Sequence, residues 1–500
     1  MSTLSAWDRH LSYRQVQLLC LLALGLHLIP LLLADYPYMD DSWRGHLAGN
    51  AWAVEGRVMN DLFYGALGFG DGAPNLFPLP LLLAGTAAAL ALARLVRHYF
   101  VAPTASAVLV VLPLWYQPFF LQNLSYQYDG PTMALALAAC VLAITLEPGS
   151  WRQILCGALL VAVALAFYQI SLNVFAGLCG VEVMRQVMLG KRCGQVWRHA
   201  LGRLGQALGG CALYGLTAYQ LMTPLRQGLL PVEGPWPFIT VARLEVIGER
   251  VGLLFTPGTT WCCLVLIALA IVALARQLWR VLDGQGSVGA RVGLCLALLV
   301  PIPVILLLIP GITLVFADFN DGARTLMGLG VLMLLVLLLA HEALSEIHPR
   351  LGWLLVIPLL CMLSFAFAYG RVLIVQKTLH QAVTFALAHD ISAQPSLASA
   401  RRYYVLGIDS GGQWLPAASG SFKAMPALRY VLNINYLLLP EMMPRVGLSN
   451  FGSHPPLDRR QVLARSPQPV VWGKFYDIHG LGDTVYVLMK KPRDPERYRW

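Results

Sequence analysis

Long apolar runs separated by short charged connections set the pattern of this chain. Runs long enough to cross roughly 30 Å of hydrocarbon as a helix fall at 16–34, 76–95, 101–121, 131–147, 152–168, 170–188, 201–221, 257–275, 292–314, 325–341 and 351–370. The pattern predicts about eleven transmembrane helices. The fifth and sixth runs are nearly continuous, but Tyr168, Gln169 and Asn173 interrupt them, and one helix of that length overshoots a bilayer. The first run is too long for a secretory signal and is read as an uncleaved span. Trp43 to Leu62 reads as an amphipathic interfacial helix. After residue 370 the leucine-rich runs give way to a helical segment at 372–389, a strand at 402–407, a helix at 425–438 and strands at 469–476 and 484–490. The expected fold is an α-helical polytopic membrane protein, residues 1–370, followed by a small α/β domain, residues 371–500.

Composition agrees with this reading. The chain is 57% hydrophobic and 12% charged, with a mean hydropathy of +0.62, outside the range of soluble globular chains. Its formal charge of +10 lies mostly in short connections and in the tail, where topology and anionic lipid account for it, and no nucleic-acid motif is present. Arg94, Arg97 and His98, then Lys191, Arg192, Arg198 and Arg203, then Arg276, Arg280 and Arg291, and finally His348 and Arg350 fall on one side. With an odd number of spans, the positive-inside rule puts the N-terminus in the cytoplasm of a bacterium and residues 371–500 outside its inner membrane. That tail holds 16 Lys and Arg against 8 Asp and Glu, which suits an anionic membrane surface or a lipid-phosphate substrate, and it is expected to cover the outer cavity and help bind an acceptor. The ten cysteines lie at or before Cys361, lack metal or redox spacing, and read as free apolar fillers.

The densest chemistry follows the first run, in Asp35-Tyr36-Pro37-Tyr38-Met39-Asp40-Asp41-Ser42-Trp43-Arg44. Adjacent carboxylates repel, so the two can divide into a base and an orienting group; equally, they can cap a helix starting at Ser42. Asp40, nearer the membrane exit, is read as the base and Asp41 as the residue orienting an acceptor. Arg324 opens the tenth run and is the strongest outer candidate for a phosphate ligand, with a structural bridge to Asp318 or Asp321 as the alternative. Arg44 presents the same choice, since it lies one turn beyond the acid pair. Asp129 reads as a helix start before Gly130-Pro131, and Gln169 as a polar turn residue able to bind a sugar hydroxyl. Phosphate-loop, zinc-protease and serine-elbow motifs are not found in the sequence.

These residues resemble a family. The Asp40-Asp41 pair, the stretch Asn123-Leu124-Ser125-Tyr126-Gln127-Tyr128-Asp129-Gly130-Pro131-Thr132-Met133, the Phe167-Tyr168-Gln169 turn and Arg324, in that order, are similar to the glucosyltransferase type II family of bacterial O-antigen glucosyltransferases, within the GT-C superfamily. The resemblance covers about residues 35–345. It implies a GT-C-like helical fold with an extracytoplasmic site in the first loop, and an inverting transfer of glucose, or a related sugar, from a polyprenyl-phosphate donor to a lipid-linked O-antigen or similar polysaccharide. Asp40 or Asp41 would then be the base. Arg44, Arg324, Tyr126, Asp129 and Gln169 would bind the donor and its phosphate, and Tyr38, Trp43, Tyr168 and Asp321 the sugar or acceptor. GT-C enzymes differ in metal use, so a divalent metal stays open; with no His beside the acid pair, a tightly held transition metal is not expected. The alternative is a transporter or flippase of a lipid-linked sugar, which would show repeats and broken midplane helices; neither is found in the sequence.

Overall fold

The computed structural model describes residues 10–222, 226, 228–231, 234–407, 415–434 and 439–490. The eleven apolar runs are helical over most of their length. By length and apolarity, six helical segments among the described residues can cross a membrane: Tyr13–Ala34, Leu79–Tyr99, Pro257–Asp283, Val288–Leu307, Leu329–Ile347 and Pro349–Ala393. Asp129–Ile144 and Trp151–Phe167 are apolar but shorter. The 101–121 run is divided into Ala105–Val111, Pro113–Tyr116 and Phe120–Ser125, because Pro113 and Pro118 lack the N–H that would continue a helix.

Packing inside the bundle relies on small residues and on buried charge. Helices Trp151–Phe167 and Cys193–Leu216 meet through glycine: a Cβ at Gly210 would lie 2.5 Å from the Val161 Cβ, and one at Gly202 would lie 2.6 Å from the Pro148 Cβ. Such contacts let two backbones approach where no hydrophobic effect drives helices together. Nearby, Arg203 is 1% exposed. Its guanidinium donates to the carbonyls of Ile144 at 2.7 Å, Leu146 at 2.8 Å and Ala143 at 3.3 Å, at and just beyond the end of helix Asp129–Ile144. It also lies 3.5 Å from Glu182, which faces His98, His199 and Arg185 at 3.1, 3.5 and 3.6 Å. All ten cysteines are free, as their spacing predicts.

The tail divides differently from the sequence reading. The predicted span at 351–370 and helix at 372–389 are one element, Val356–Ala393. The apolar run ends near residue 370, but the helical spacing of buried positions persists through Leu373, Gln376, His380, Val383, Leu387 and Ile391, so composition changes without breaking the helix. Val383, Leu387 and Ile391 share a core with Tyr403, Ile478, Val485 and Val487 of a five-stranded sheet. Its strands run in the order Phe451–Gly452, Arg402–Leu406, Thr484–Met489, Tyr476–Leu481, Val471–Trp472. The first two pairings are parallel and the last two antiparallel. The strand predicted at 469–476 is thus two, with the longer part at Tyr476–Leu481, joined to Thr484–Met489 by a two-residue turn that places Gly482 at φ 64°. The helix expected at 425–438 is Ala427–Leu432; residues 435–438 lie outside the described residues. Leu415, Phe422, Leu428, Val431 and Ile434 pack into the main helical core.

Removing one member of a buried charge network leaves the others unpaired, so Arg203→Ala should destabilise the protein by roughly 3–5 kcal/mol. Thermal unfolding in detergent checks this, with Arg198→Ala, on the same helix, as the mild control.

Candidate active site

The loop after the first helix is built from short pieces. In place of one interfacial helix across Trp43 to Leu62 stand Asp41–Leu47, Ala53–Glu55 and Val58–Gly68, because Ala48 and Gly56 adopt left-handed backbone, with φ 50° and 72°. At Gly56 an added Cβ would sit 2.5 Å from the Tyr214 hydroxyl. Glycine meets both demands.

The two adjacent acids have opposite surroundings. Asp41 is 1% exposed. Its Oδ2 accepts from the N–H groups of Tyr38 and Gln127, each at 2.8 Å, and its Oδ1 from Tyr128 at 3.1 Å. Burial pushes this carboxyl up to about 8, against the pull of those three donors. Asp41 therefore fastens the 126–129 segment to the first loop, and both of its oxygens already accept backbone N–H groups inside the protein. Asp40 is exposed and makes no capping bond to the helix that follows. The acid pair is not a pair of caps.

Tyr126 stands between Arg324, which bonds it, and Asp40, whose charge bears on it. The Arg324 Nη1 donates to the Tyr126 hydroxyl at 2.7 Å, and the turn Ala323–Thr325 is bolted to helix Phe120–Ser125 through Gln122 at 2.6 Å and Asn123 at 3.1 Å. Burial raises the Tyr126 phenol, the Arg324 guanidinium lowers it and the Asp40 charge raises it again. Among the described residues no carboxylate lies within ion-pair distance of Arg324. Asp321, the bridge partner considered from sequence, is held by Arg250 at 2.9 Å instead. Glu441 is a neighbour that the sequence did not suggest: its Oε2 is buried without a hydrogen-bond partner, and burial, then the Asp40 charge, raises its carboxyl.

A second cluster adjoins the first. Arg44, 3% exposed, lies between the rings of Trp43 and Trp52 at 4.7 and 4.4 Å and faces Glu55 at 3.5 Å and Asp129 at 3.8 Å. Arg57 lies 3.0 Å from Glu55 and 3.7 Å from Asp129, and the Trp52 Nε1 donates to Asp129 at 2.6 Å. Gln169 donates to the Glu55 carbonyl and to the Tyr214 hydroxyl. Arg44 is thus paired away from Asp40 and Asp41, in a group of two cations and two carboxylates. Glu55 and Arg57 are absent from the sequence-based candidates, although a charged pair around a glycine in so apolar a chain is a signal. Tyr168 joins the clusters, with Arg57 over its ring at 5.3 Å and its hydroxyl donating to the Arg324 carbonyl at 3.5 Å. Tyr38 is fully buried and donates to the Leu432 carbonyl at 2.7 Å, so it ties the tail to the first loop.

Metal-ligand spacing occurs elsewhere. His98, Glu147 and Glu182 bring ligand atoms within 4.8 Å of one another, at the opposite end of the helices. There Arg185 and Arg203 face Glu182, while Glu147 faces His98 and His199.

Replacing Asp41 by alanine strands three buried backbone donors, at roughly 1–3 kcal/mol each, so Asp41→Ala should lower the unfolding temperature sharply. Asp40→Ala should change stability by about 0.5 kcal/mol or less. Equal losses in the two variants, read by thermal unfolding, would contradict the division of roles.

Over 160 residues the chain is 32% identical to an uncharacterized 55.3 kDa protein from the gtrB 5′ region of Salmonella phage P22, a match spanning 31% of this chain and 32% of that protein. The chain thus covers about a third of that relative's length. No solved structure matches. The family described as "Glucosyl transferase GtrII" matches residues 29–335, an interval that holds both clusters, from Asp40 to Arg324. With that match over more than half of its length, the chain belongs to the glucosyl transferase GtrII family.

Proposed function

We propose that the protein is an inverting membrane glycosyltransferase, moving a glucosyl residue from a polyprenyl-phosphate donor to a lipid-linked surface polysaccharide on the periplasmic face of a bacterial inner membrane. The observation that carries this reading is Tyr126, whose hydroxyl accepts from the Arg324 guanidinium and whose phenol feels the charge of the exposed Asp40, while Arg324 has no carboxylate within ion-pair distance among the described residues. In one displacement, Asp40 takes the proton of the acceptor hydroxyl as that oxygen bonds to the anomeric carbon, and the donor phosphate departs with the bonding electron pair toward Arg324. Asp41 acts as a positioning residue. The buried Arg44–Asp129 cluster shapes the wall that the sugar meets, with Gln169 and Tyr168 at its edge.

The topology favoured by the basic connections supports the periplasmic assignment. Asp40, Tyr126, Gln169, Arg250, Arg324 and Tyr430 belong to connections read as outer or to the tail, and hydrogen bonds and ion pairs link these regions. Residues on connections read as inner, such as Arg276 and Glu346, pair with one another instead.

Purified protein in proteoliposomes should transfer glucose from polyprenyl-phosphate glucose to a lipid-linked glycan. Arg324→Ala should raise the donor KM and lower kcat together, because a phosphate ligand acts in both ground and transition states. Movement of the lipid-linked sugar across the bilayer without glycosidic bond formation would point to a flippase instead. A reporter fused after Lys191 should read as cytoplasmic and one after Ala398 as periplasmic; a cytoplasmic signal from the second would contradict the proposed sidedness.

A further inference from the structure

At the end of the bundle away from Asp40, side chains from three helix ends meet. His98 in the last turn of Leu79–Tyr99, Glu147 just past Asp129–Ile144 and Glu182 on Leu172–Met188 each bring one ligand atom within 4.8 Å of the others. The His98 Nε2 stands 3.1 Å from the Glu182 Oε1 and 3.8 Å from the Glu147 Oε1. Glu182 is fully buried, and neither its Oε1 nor the His98 Nε2 makes a hydrogen bond, close as they are. Glu147 is exposed and opens the cluster to solvent.

The two carboxylates divide their oxygens in the same way. Each turns Oε1 to His98 and Oε2 to supporting groups: the Glu147 Oε2 faces the His199 Nδ1 at 3.4 Å, and the Glu182 Oε2 faces Arg203 and Arg185 at 3.5 and 3.6 Å. Arg203 can only donate, so its Nε bond of 3.2 Å to the His199 Nε2 leaves the ring proton on Nδ1, turned to Glu147. Groups behind the ligands of a metal orient them in this manner. The charge of the arginines is met elsewhere as well. Arg203 donates to three carbonyls at and beyond the end of Asp129–Ile144, and Arg185 donates to the His98 carbonyl, where helix C-termini carry partial negative charge. An ion held about 2.0–2.2 Å from each ligand sets those atoms about 3.0–3.6 Å apart, close to the spacing around His98. One imidazole with two carboxylates suits a zinc-class ion better than Mg²⁺ or Ca²⁺, which favour oxygen ligands. We propose that the His98 Nε2, Glu147 Oε1 and Glu182 Oε1 form a zinc-class divalent cation site, completed by water, that pins these three helix ends together. Such a site is independent of the transfer chemistry at Asp40.

The test is titration of the untagged full chain, purified in detergent and stripped with EDTA, with Zn²⁺, followed by calorimetry and by thermal unfolding. One equivalent should bind, and the unfolding temperature should rise with Zn²⁺, as for any ligand that binds the folded state alone. X-ray absorption at the zinc edge should show nitrogen and oxygen neighbours at about 2.0–2.2 Å and no sulfur, which separates this site from the free cysteines. Glu147→Gln, at an exposed position, should unfold near the temperature of the stripped wild type and bind Zn²⁺ about a hundredfold or more weakly, since loss of the groups behind a ligand alone costs about ten- to a hundredfold. His98→Asn should weaken binding to the same degree, and His454→Ala, at an exposed position of the tail, should leave it unchanged. Absence of a stoichiometric equivalent in the wild type would overturn the site and leave His98 as an ion-pair partner of the two carboxylates. Sulfur in the zinc shell, or equal affinity in Glu147→Gln and the wild type, would place the ion elsewhere and overturn it too.

Discussion

Three backbone N–H groups converging on one buried carboxyl tie the first loop of this protein to the segment around residue 127. Asp41 draws the first loop and the 126–129 segment onto a common point, and the rest of the site hangs on that junction. The segment it captures carries Tyr126, which steadies Arg324, and Asp129, which collects Arg44, Arg57 and Trp52. A carboxyl group is well suited to this task because both of its oxygens can accept from N–H groups, and backbone donors in a buried corner have no water to turn to. The adjacent Asp40 is left outside the junction and exposed.

Polar groups gather at the two ends of the helical bundle. At one end lie the Asp40, Arg324 and Asp129 groups; at the other, Glu182 with its histidines and arginines. Between them the helices pack with alanine, leucine and glycine. The tail is not an appendage to this bundle. Residues 415–434 join the main core, Tyr38 bonds to the Leu432 carbonyl, and Lys377 donates to the Asp35 carbonyl at 2.7 Å, so the two parts of the chain share one packed structure.

Much of the helical layout was legible as apolar runs, and the family as a series of short motifs. The run count overstated what length and apolarity support, since proline splits one run into three pieces and other helices are short or carry buried charge. The division between Asp40 and Asp41 was hidden for a simpler reason. Neighbouring residues at a helix start differ in direction by about 100°, and which one turns inward depends on where the 126–128 amides lie, a tertiary fact. Arg44 and Asp321 looked like partners of nearby groups because local spacing allows it; distant residues, Asp129 and Arg250, won those pairings. Glu441 carried no signal, being brought to Asp40 from some four hundred residues away in the chain.

The account stands on Asp40 acting as a base. A group that takes a proton in the transition state contributes little to ground-state binding, so the decisive measurement is the single-turnover transfer rate of Asp40→Asn set beside its donor dissociation constant. The structure predicts a rate lowered by roughly a hundredfold or more with donor affinity near wild type. A near-normal rate in that variant, in protein that folds and binds donor, would contradict the assignment.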